Sequence, residues 1–255
     1  MIETKLSEIA ELLDRAQQVC VLTGAGVSAE SGIATFRSAQ ATMAALWKDF
    51  DPMTLATPEA FERDPETVSK WYDWRRVGCL RAEPNPGHLA LAELERRVTS
   101  RGGSFKLLTQ NVDRLHHKAG SREVVELHGS IIQWRCCATG RVFTPPPEPM
   151  TTFPPCSPFV PEALARPDVV WFGEMLPEAA VMAADEAARS CDVFLSIGTS
   201  AVVYPAAGYC EIARRHGART IEINFEPTPI SAGVTHTLRA RSGEALPKIL
   251  ELMDG

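Results

Sequence analysis

Val19-Cys20-Val21-Leu22-Thr23-Gly24-Ala25-Gly26-Val27-Ser28 decides the fold. A short apolar run ends at two glycines one residue apart and leads into a helical pattern. An apolar run of this length reads as a strand buried on both faces, as in a parallel sheet. Glycines at its carboxyl end let backbone approach a pyrophosphate, whose charge favours the following helix N-terminus. The dinucleotide fingerprint is incomplete. Ser28-Ala29 stands at the third glycine, and Ala41, Thr42 and Met43 occupy the usual place of a ribose-binding acid. Taken alone, the run fits either an NAD site or a tight strand–helix turn.

The same pattern recurs downstream. Phe105–Thr109, Val193–Ile197 and Thr220–Asn224 read as further buried strands, and His88–Val98 and Glu178–Arg189 as helices between them. Leu6, Ile9, Leu12 and Leu13 mark an amphipathic helix at the start. Alternating strands and helices predict an α/β fold, a Rossmann-like parallel sheet with helices on both faces. Two stretches break the rhythm. Residues 35–85 look helical and carry three of the five tryptophans; residues 134–168 carry Cys136, Cys137, Cys156 and the prolines from Pro145 to Pro161, which exclude regular helix. They are expected to form a small lobe, with the Rossmann-like part at 1–34, 86–133 and 169–255, all within one domain spanning 1–255.

Composition narrows the function. The 255 residues are 45% hydrophobic, with a formal net charge of −6 and no basic face, which argues against a nucleic-acid partner. No apolar run reaches the ~18 residues of a membrane span, and the N-terminus resembles neither a signal nor a transit peptide. Seven scattered cysteines suggest reduced thiols and a cytoplasmic location.

Polar residues cluster where strands end. Gly198-Thr199-Ser200 offers a turn and two hydroxyls for phosphate, and Asn224 an amide for a ribose. Gln110, Asn111 and Asp113 could hold hydroxyls, a water or a carboxamide; they also fit an Asx turn capping a helix from Leu115. His128, between Leu127 and Gly129, could act as a base near neutral pH or sit in the core. His116-His117 is the weaker candidate, expected to be helical and half exposed. Tyr72 and Arg75 share a helix face and could grip a carboxylate, or belong to an aromatic face against the core.

Together these runs resemble the sirtuins, the NAD-dependent protein deacylases. The resemblance rests on Gly24–Ile33, Phe36-Arg37, Thr109–Asp113, His128-Gly129, Val170–Glu174, Gly198–Ser200 and Ile223-Asn224, in family order. It implies NAD as cofactor, with Gly24, Ala25, Gly26, Ser28, Phe36, Arg37, Gln110, Asn111, Asp113, Gly198, Thr199, Ser200, Asn224 and Ser242 around it. It implies His128 as general base, with Asn111 and Asp113 in the catalytic group. Val170, Trp171, Phe172, Gly173 and Glu174 would form an edge where an acyl-lysine protein substrate adds as a strand. The implied reaction releases nicotinamide, uses His128 to deprotonate a ribose hydroxyl, and yields free lysine and O-acyl-ADP-ribose. Tyr72-x-x-Arg75 matches the class III members, which prefer succinyl-, malonyl- or glutaryl-lysine. Ala34-Thr35 replaces the family's proline–aspartate pair, a mild departure.

Family members also carry Cys-x-x-Cys twice around zinc. Here Thr139 and Phe159 replace the second cysteine of each pair, so no metal is expected, with Phe153 and Phe159 packing the module instead. A weak three-thiolate site and a Cys136–Cys156 disulfide are the other readings. Rival functions on the same fold are ADP-ribosyl transfer to protein and NAD hydrolysis; a silent NAD or ADP-ribose reader would need none of Asn111, Asp113 and His128.

Overall fold

The computed structural model describes residues 2–33 and 52–254. α1 (Ile2–Arg15) buries Leu6, Ile9, Ala10 and Leu13, the face predicted from their spacing. It leads into β1 (Gln18–Thr23), which is buried from Val19 to its end. β2 (Ser104–Thr109) and β3 (Val124–Glu126) extend the sheet on one side of β1. β7 (Val193–Ile197), β8 (Arg219–Ile223) and β9 (His236–Leu238) extend it on the other. All five pairings are parallel.

Side chains alternate across these strands, so each face has its own core. Val19 and Val21 face the cluster containing α1, α6 (Pro86–Ser100) and α10 (Ser242–Leu252). Cys20 and Leu22 face α8 (Glu178–Ser190) and α9 (Tyr209–Arg215). This is the doubly covered sheet expected from the sequence.

The register places the chemistry. Thr23 of β1 is level with Thr109 of β2 and Ile197 of β7; Glu126 of β3 is level with Thr109, and Ile223 of β8 with Ile197. The residues that follow, Gly24, Gln110, Leu127-His128, Gly198 and Asn224, therefore emerge along one edge. Between β1 and β7 the strand order reverses direction, which is where open α/β sheets bind ligands.

A second sheet, β5-β4-β6, is antiparallel and built from β4 (Gly129–Cys136), β5 (Val142–Phe143) and β6 (Ala165–Val169). Helices α3 (Pro52–Leu55), α4 (Pro58–Arg63) and α5 (Pro65–Arg81) pack on it. Trp71, Tyr72, Trp134 and Trp171 form its core with Phe61, Ile131 and Val169. Burying ~200 Å² per tryptophan contributes on the order of 5 kcal/mol each. Asp73 and Arg76 of α5 lie inside this region as a buried ion pair.

Candidate active site

The glycines of the first turn serve contacts between loops. A Cβ on Gly26 would meet the Gly198 carbonyl oxygen at 2.7 Å, and one on Gly198, at φ +60°, would meet the Val27 nitrogen at 2.5 Å. The turns after β1 and β7 thus pack backbone to backbone, joined by Gly26 N–H donating to Gly198 O (2.8 Å). α2 (Ala25–Ala29) begins there.

Four of the expected residues form one hydrogen-bonded group. Asn111 Nδ2 donates to Gly24 O (3.1 Å) and Ser28 Oγ (3.0 Å). Ser28 Oγ donates to Asp113 Oδ2 (2.7 Å), and Leu115 N–H donates to Asp113 Oδ1 (2.9 Å). With both N–H groups of its amide engaged, Asn111 has only Oδ1 left for a ligand, as an acceptor of a hydroxyl. Asp113 accepts the first N–H of α7 (Leu115–Lys118), the Asx-type turn that was one of its two expected roles. Burial raises its pKa, opposed by the Leu115 and Ser28 bonds and by the charge of Arg75.

His128 follows β3. Its Nδ1 lies 3.0 Å from the Gln110 carbonyl, which accepts only from a protonated nitrogen, so Nδ1 carries the hydrogen and Nε2 is left basic. Burial lowers its pKa below 6.5, against the pull of the Gln110 bond. Gly129 has a structural reason to follow. At φ +74° it turns the chain into β4, where a Cβ would stand 2.2 Å from Asp168 O. Gln110 Nε2 donates to Thr199 Oγ1 (2.9 Å), and Asn224 Nδ2 to Thr199 O (3.3 Å), linking the ends of β2, β7 and β8. Ser200 is half-buried beside Thr199. Ser242 begins α10 and donates to Glu30 Oε1 (3.0 Å), so its hydroxyl is committed within the protein. Phe36 and Arg37 lie outside the described residues.

Two histidines differ from expectation. His116 is fully buried, not half exposed; its Nε2 meets Thr23 Oγ1 at 2.9 Å, because the short α7 wedges against the ends of β1 and β2. Its ring lies 4.8 Å from that of His88, which the sequence reading passed over. His88 Nδ1 accepts from Asn85 N–H (3.3 Å), so its Nε2 faces Ser28 Oγ (3.4 Å) as a donor. Burial brings His88 down to about 4. The available signal was Asn85-Pro86-Gly87-His88, a capping box at a helix start.

Tyr72 and Trp171 meet: Trp171 Nε1–H donates to Tyr72 Oη (3.0 Å), both side chains buried. The Arg75 guanidinium carbon lies 4.6 Å from the Trp71 ring centre and 5.7 Å from that of Tyr72. Burial pushes the Tyr72 phenol up to about 12. Arg75 lowers both Tyr72 and Asp113, so the pocket attributed to the acyl group borders the one attributed to nicotinamide. In Val170–Glu174 most backbone donors are committed. Val170 N–H donates to His128 O, Trp171 N–H to the Glu174 carboxylate, Phe172 N–H to Ala56 O and Glu174 N–H to Trp171 O. An added strand would meet this segment chiefly through its carbonyls.

The four positions of the family's zinc site hold Cys136, Thr139, Cys156 and Phe159. Cys136 is buried and Cys137 exposed, so the adjacent thiols diverge. Leu164 pairs with Cys137 on one side and Cys156 on the other. The Ser157 and Thr139 hydroxyls and the N–H groups of Ala138 and Thr139 bring the Cys136 thiol down to about 7. Phe159 packs under Arg141 (3.9 Å) and against Phe143 (5.9 Å). No group of three or more potential ligands converges among the described residues.

The hydroxyls and amides at the strand ends have the chemistry of a ligand with phosphates, riboses and a carboxamide, and so fit NAD. The Sir2 family profile matches residues 24–205. The chain is 50% identical over 248 residues to an NAD-dependent protein deacylase of Thermus thermophilus, covering 96% of this chain and 94% of that one. It is 45% identical over 249 residues to NAD-dependent protein deacylase 1 of Pseudomonas aeruginosa, covering 95% and 96%. Among solved structures, a Sir2 homolog–NAD complex superposes with TM-score 0.88 at 40% identity, covering 97% and 93%. Sir2 bound to acetylated peptide gives 0.82 at 29%, covering 97% and 98%. The chain belongs to the Sir2 family and is an enzyme that uses NAD.

Proposed function

We propose that this chain is an NAD-dependent protein-lysine deacylase that prefers succinyl, malonyl or glutaryl groups over acetyl, yields nicotinamide and O-acyl-ADP-ribose, and keeps its cysteine-bearing insert folded without zinc. The deacylase class agrees with the relatives' names. NAD supplies an activated ribose carbon and the departing nicotinamide. Asn111 Oδ1 accepts from a ribose hydroxyl, Asp113 retains lone pairs for the carboxamide, and Gln110 faces the ribose. Thr199, Ser200 and Asn224 would hold the phosphate and adenosine, and Ala25, with Phe36 and Arg37 by the resemblance, would line the NAD pocket. His128 Nε2, left basic by the Gln110 carbonyl, takes the proton of a ribose hydroxyl.

One observation carries the acyl preference. The Tyr72 hydroxyl is buried and accepts from Trp171, while no described acceptor takes its own proton. A buried donor without an acceptor is costly, and an anionic acyl terminus beside Arg75 would satisfy it. Matched acetyl-, succinyl- and malonyl-lysine peptides, followed by mass spectrometry with and without NAD, test this. Arg75→Met is expected to lower the succinyl-to-acetyl ratio of kcat/KM about 100-fold, since hydrogen bonds to charged groups are the strong ones. Equal loss on both peptides would remove the acyl pocket. NAD consumption with every peptide intact would favour the transferase or hydrolase.

The zinc-free proposal rests on Thr139 and Phe159 and on the divergence of Cys136 and Cys137. Elemental analysis of chelator-free protein is expected to find far less than one zinc per chain, with an unfolding midpoint indifferent to EDTA. Stoichiometric zinc would overturn it.

A further inference from the structure

Trp171 holds more than a place in the small-lobe core. Its indole is held by two contacts and its backbone by a third. The Arg166 guanidinium carbon lies 3.2 Å from its ring centre, and the Phe61 ring packs at 5.3 Å. Its backbone N–H donates to Glu174 Oε2 (2.8 Å), and Arg166 grips the same carboxylate through both terminal nitrogens, at 2.6 and 2.9 Å. An indole held this way presents its Nε1–H to Tyr72 Oη in one direction only.

That contact has a consequence for the phenol. A phenol oxygen lies in the ring plane with two favoured directions for its hydrogen. An incoming N–H takes one of them and leaves the other for the O–H. We propose that Trp171 is a positioning residue for acyl selectivity: its indole N–H sets the Tyr72 hydroxyl as a donor turned away from the indole, toward a carboxylate-bearing acyl group. The inference deepens the acidic-acyl reading above and rests on it. It joins the segment expected to meet the peptide, Val170–Glu174, to the helix expected to read the acyl terminus, α5. Because the indole donates and cannot accept, it can orient the hydroxyl only in this sense.

Trp171→Phe removes the N–H and keeps an aromatic ring between Arg166, Phe61 and Tyr72. Steady-state kinetics of the full-length enzyme would compare succinyl- and acetyl-lysine peptides at saturating NAD for wild type, Trp171→Phe, Tyr72→Phe and the double variant. The succinyl-to-acetyl ratio of kcat/KM is expected to fall about five- to tenfold in Trp171→Phe, the size of one net hydrogen bond. The loss should enter through the succinyl KM, because the contact is made equally in ground and transition states. In the Tyr72→Phe background, the same change should leave that ratio where Tyr72→Phe put it. Equal losses on both peptides would make Trp171 merely structural. An undiminished further loss in the Tyr72→Phe background would show that it acts by another route. If Tyr72→Phe shifts the ratio and Trp171→Phe does not, only this inference fails. If Tyr72→Phe leaves the ratio unchanged, the acidic-acyl reading falls and takes this inference with it.

Discussion

His128→Ala is expected to lower NAD-dependent deacylation by on the order of 10²–10⁴-fold, the range for losing a positioned general base. The Gln110 carbonyl fixes the proton on Nδ1 and leaves Nε2 basic. The ring is only half-buried, so the substitution should leave the thermal midpoint within a few degrees. Mass spectrometry of the peptide and a melting curve separate the two effects. Retention of more than about a tenth of the activity would place the base elsewhere. The alternative is then the Ser28–Asp113 pair reached through His88.

The pH profile tests the same residue independently. Burial disfavours the imidazolium, so His128 stays neutral and competent to lower pH than a free histidine. The acid limb of kcat/KM should therefore have its midpoint below 6.5. Stability moves the same way. His88 and His116 are held neutral by burial, whereas the unfolded chain protonates them, so stability is lost as pH falls from about 6.5 toward 4. Rates below pH 6 must be initial rates, with a melting curve at each pH. An acid limb centred above 6.5 would contradict the buried-base geometry.

The sheet was legible because parallel strands buried on both faces write continuous apolar runs. β1, β2, β7 and β8 were each placed within a residue of their ends. The candidate residues Gly24, Gln110, Gly198 and Asn224 were legible as strand ends because each directly follows such a strand. Their partners were not: Ser28 and Asp113 lie 85 residues apart, and only the level register of the strand ends brings them together. The burial of His116 was hidden for the same reason, since a helix of only four residues has too little periodicity to show which side faces in. Arg76 and Asp73 were hidden differently. They flank Tyr72 and Arg75 in a run of charged and aromatic residues, and no local pattern shows that their partners are backbone groups of the proline-rich insert.

Those partners make Arg76→Met the substitution with the largest expected effect on stability. Arg76 Nε donates to Asp73 Oδ1 (2.8 Å), while Nη1 and Nη2 donate to Pro146 O (2.8 Å) and Glu148 O (2.7 Å). Met150 N–H donates to Asp73 Oδ2 (2.9 Å). The Arg76 side chain is 0% exposed and that of Asp73 4%. Methionine fills the space but leaves a buried carboxylate with one backbone partner and removes the donors to the Pro146 and Glu148 carbonyls. Breaking a buried pair in this way costs about 3–5 kcal/mol, out of the roughly 5–15 kcal/mol that holds a domain folded. A fall of roughly 10 °C in the unfolding midpoint is the expected reading. The Arg76 guanidinium ties the proline-limited loop of the insert to α5, and the tie flanks Tyr72 and Arg75. The double variant Asp73→Leu with Arg76→Met removes both charges and should recover part of the loss, because an apolar pair leaves no buried charge uncompensated. If Arg76→Met shifted the midpoint by less than about 3 °C, the insert would be held by its Phe143, Phe159 and Arg141 stack rather than by the ion pair.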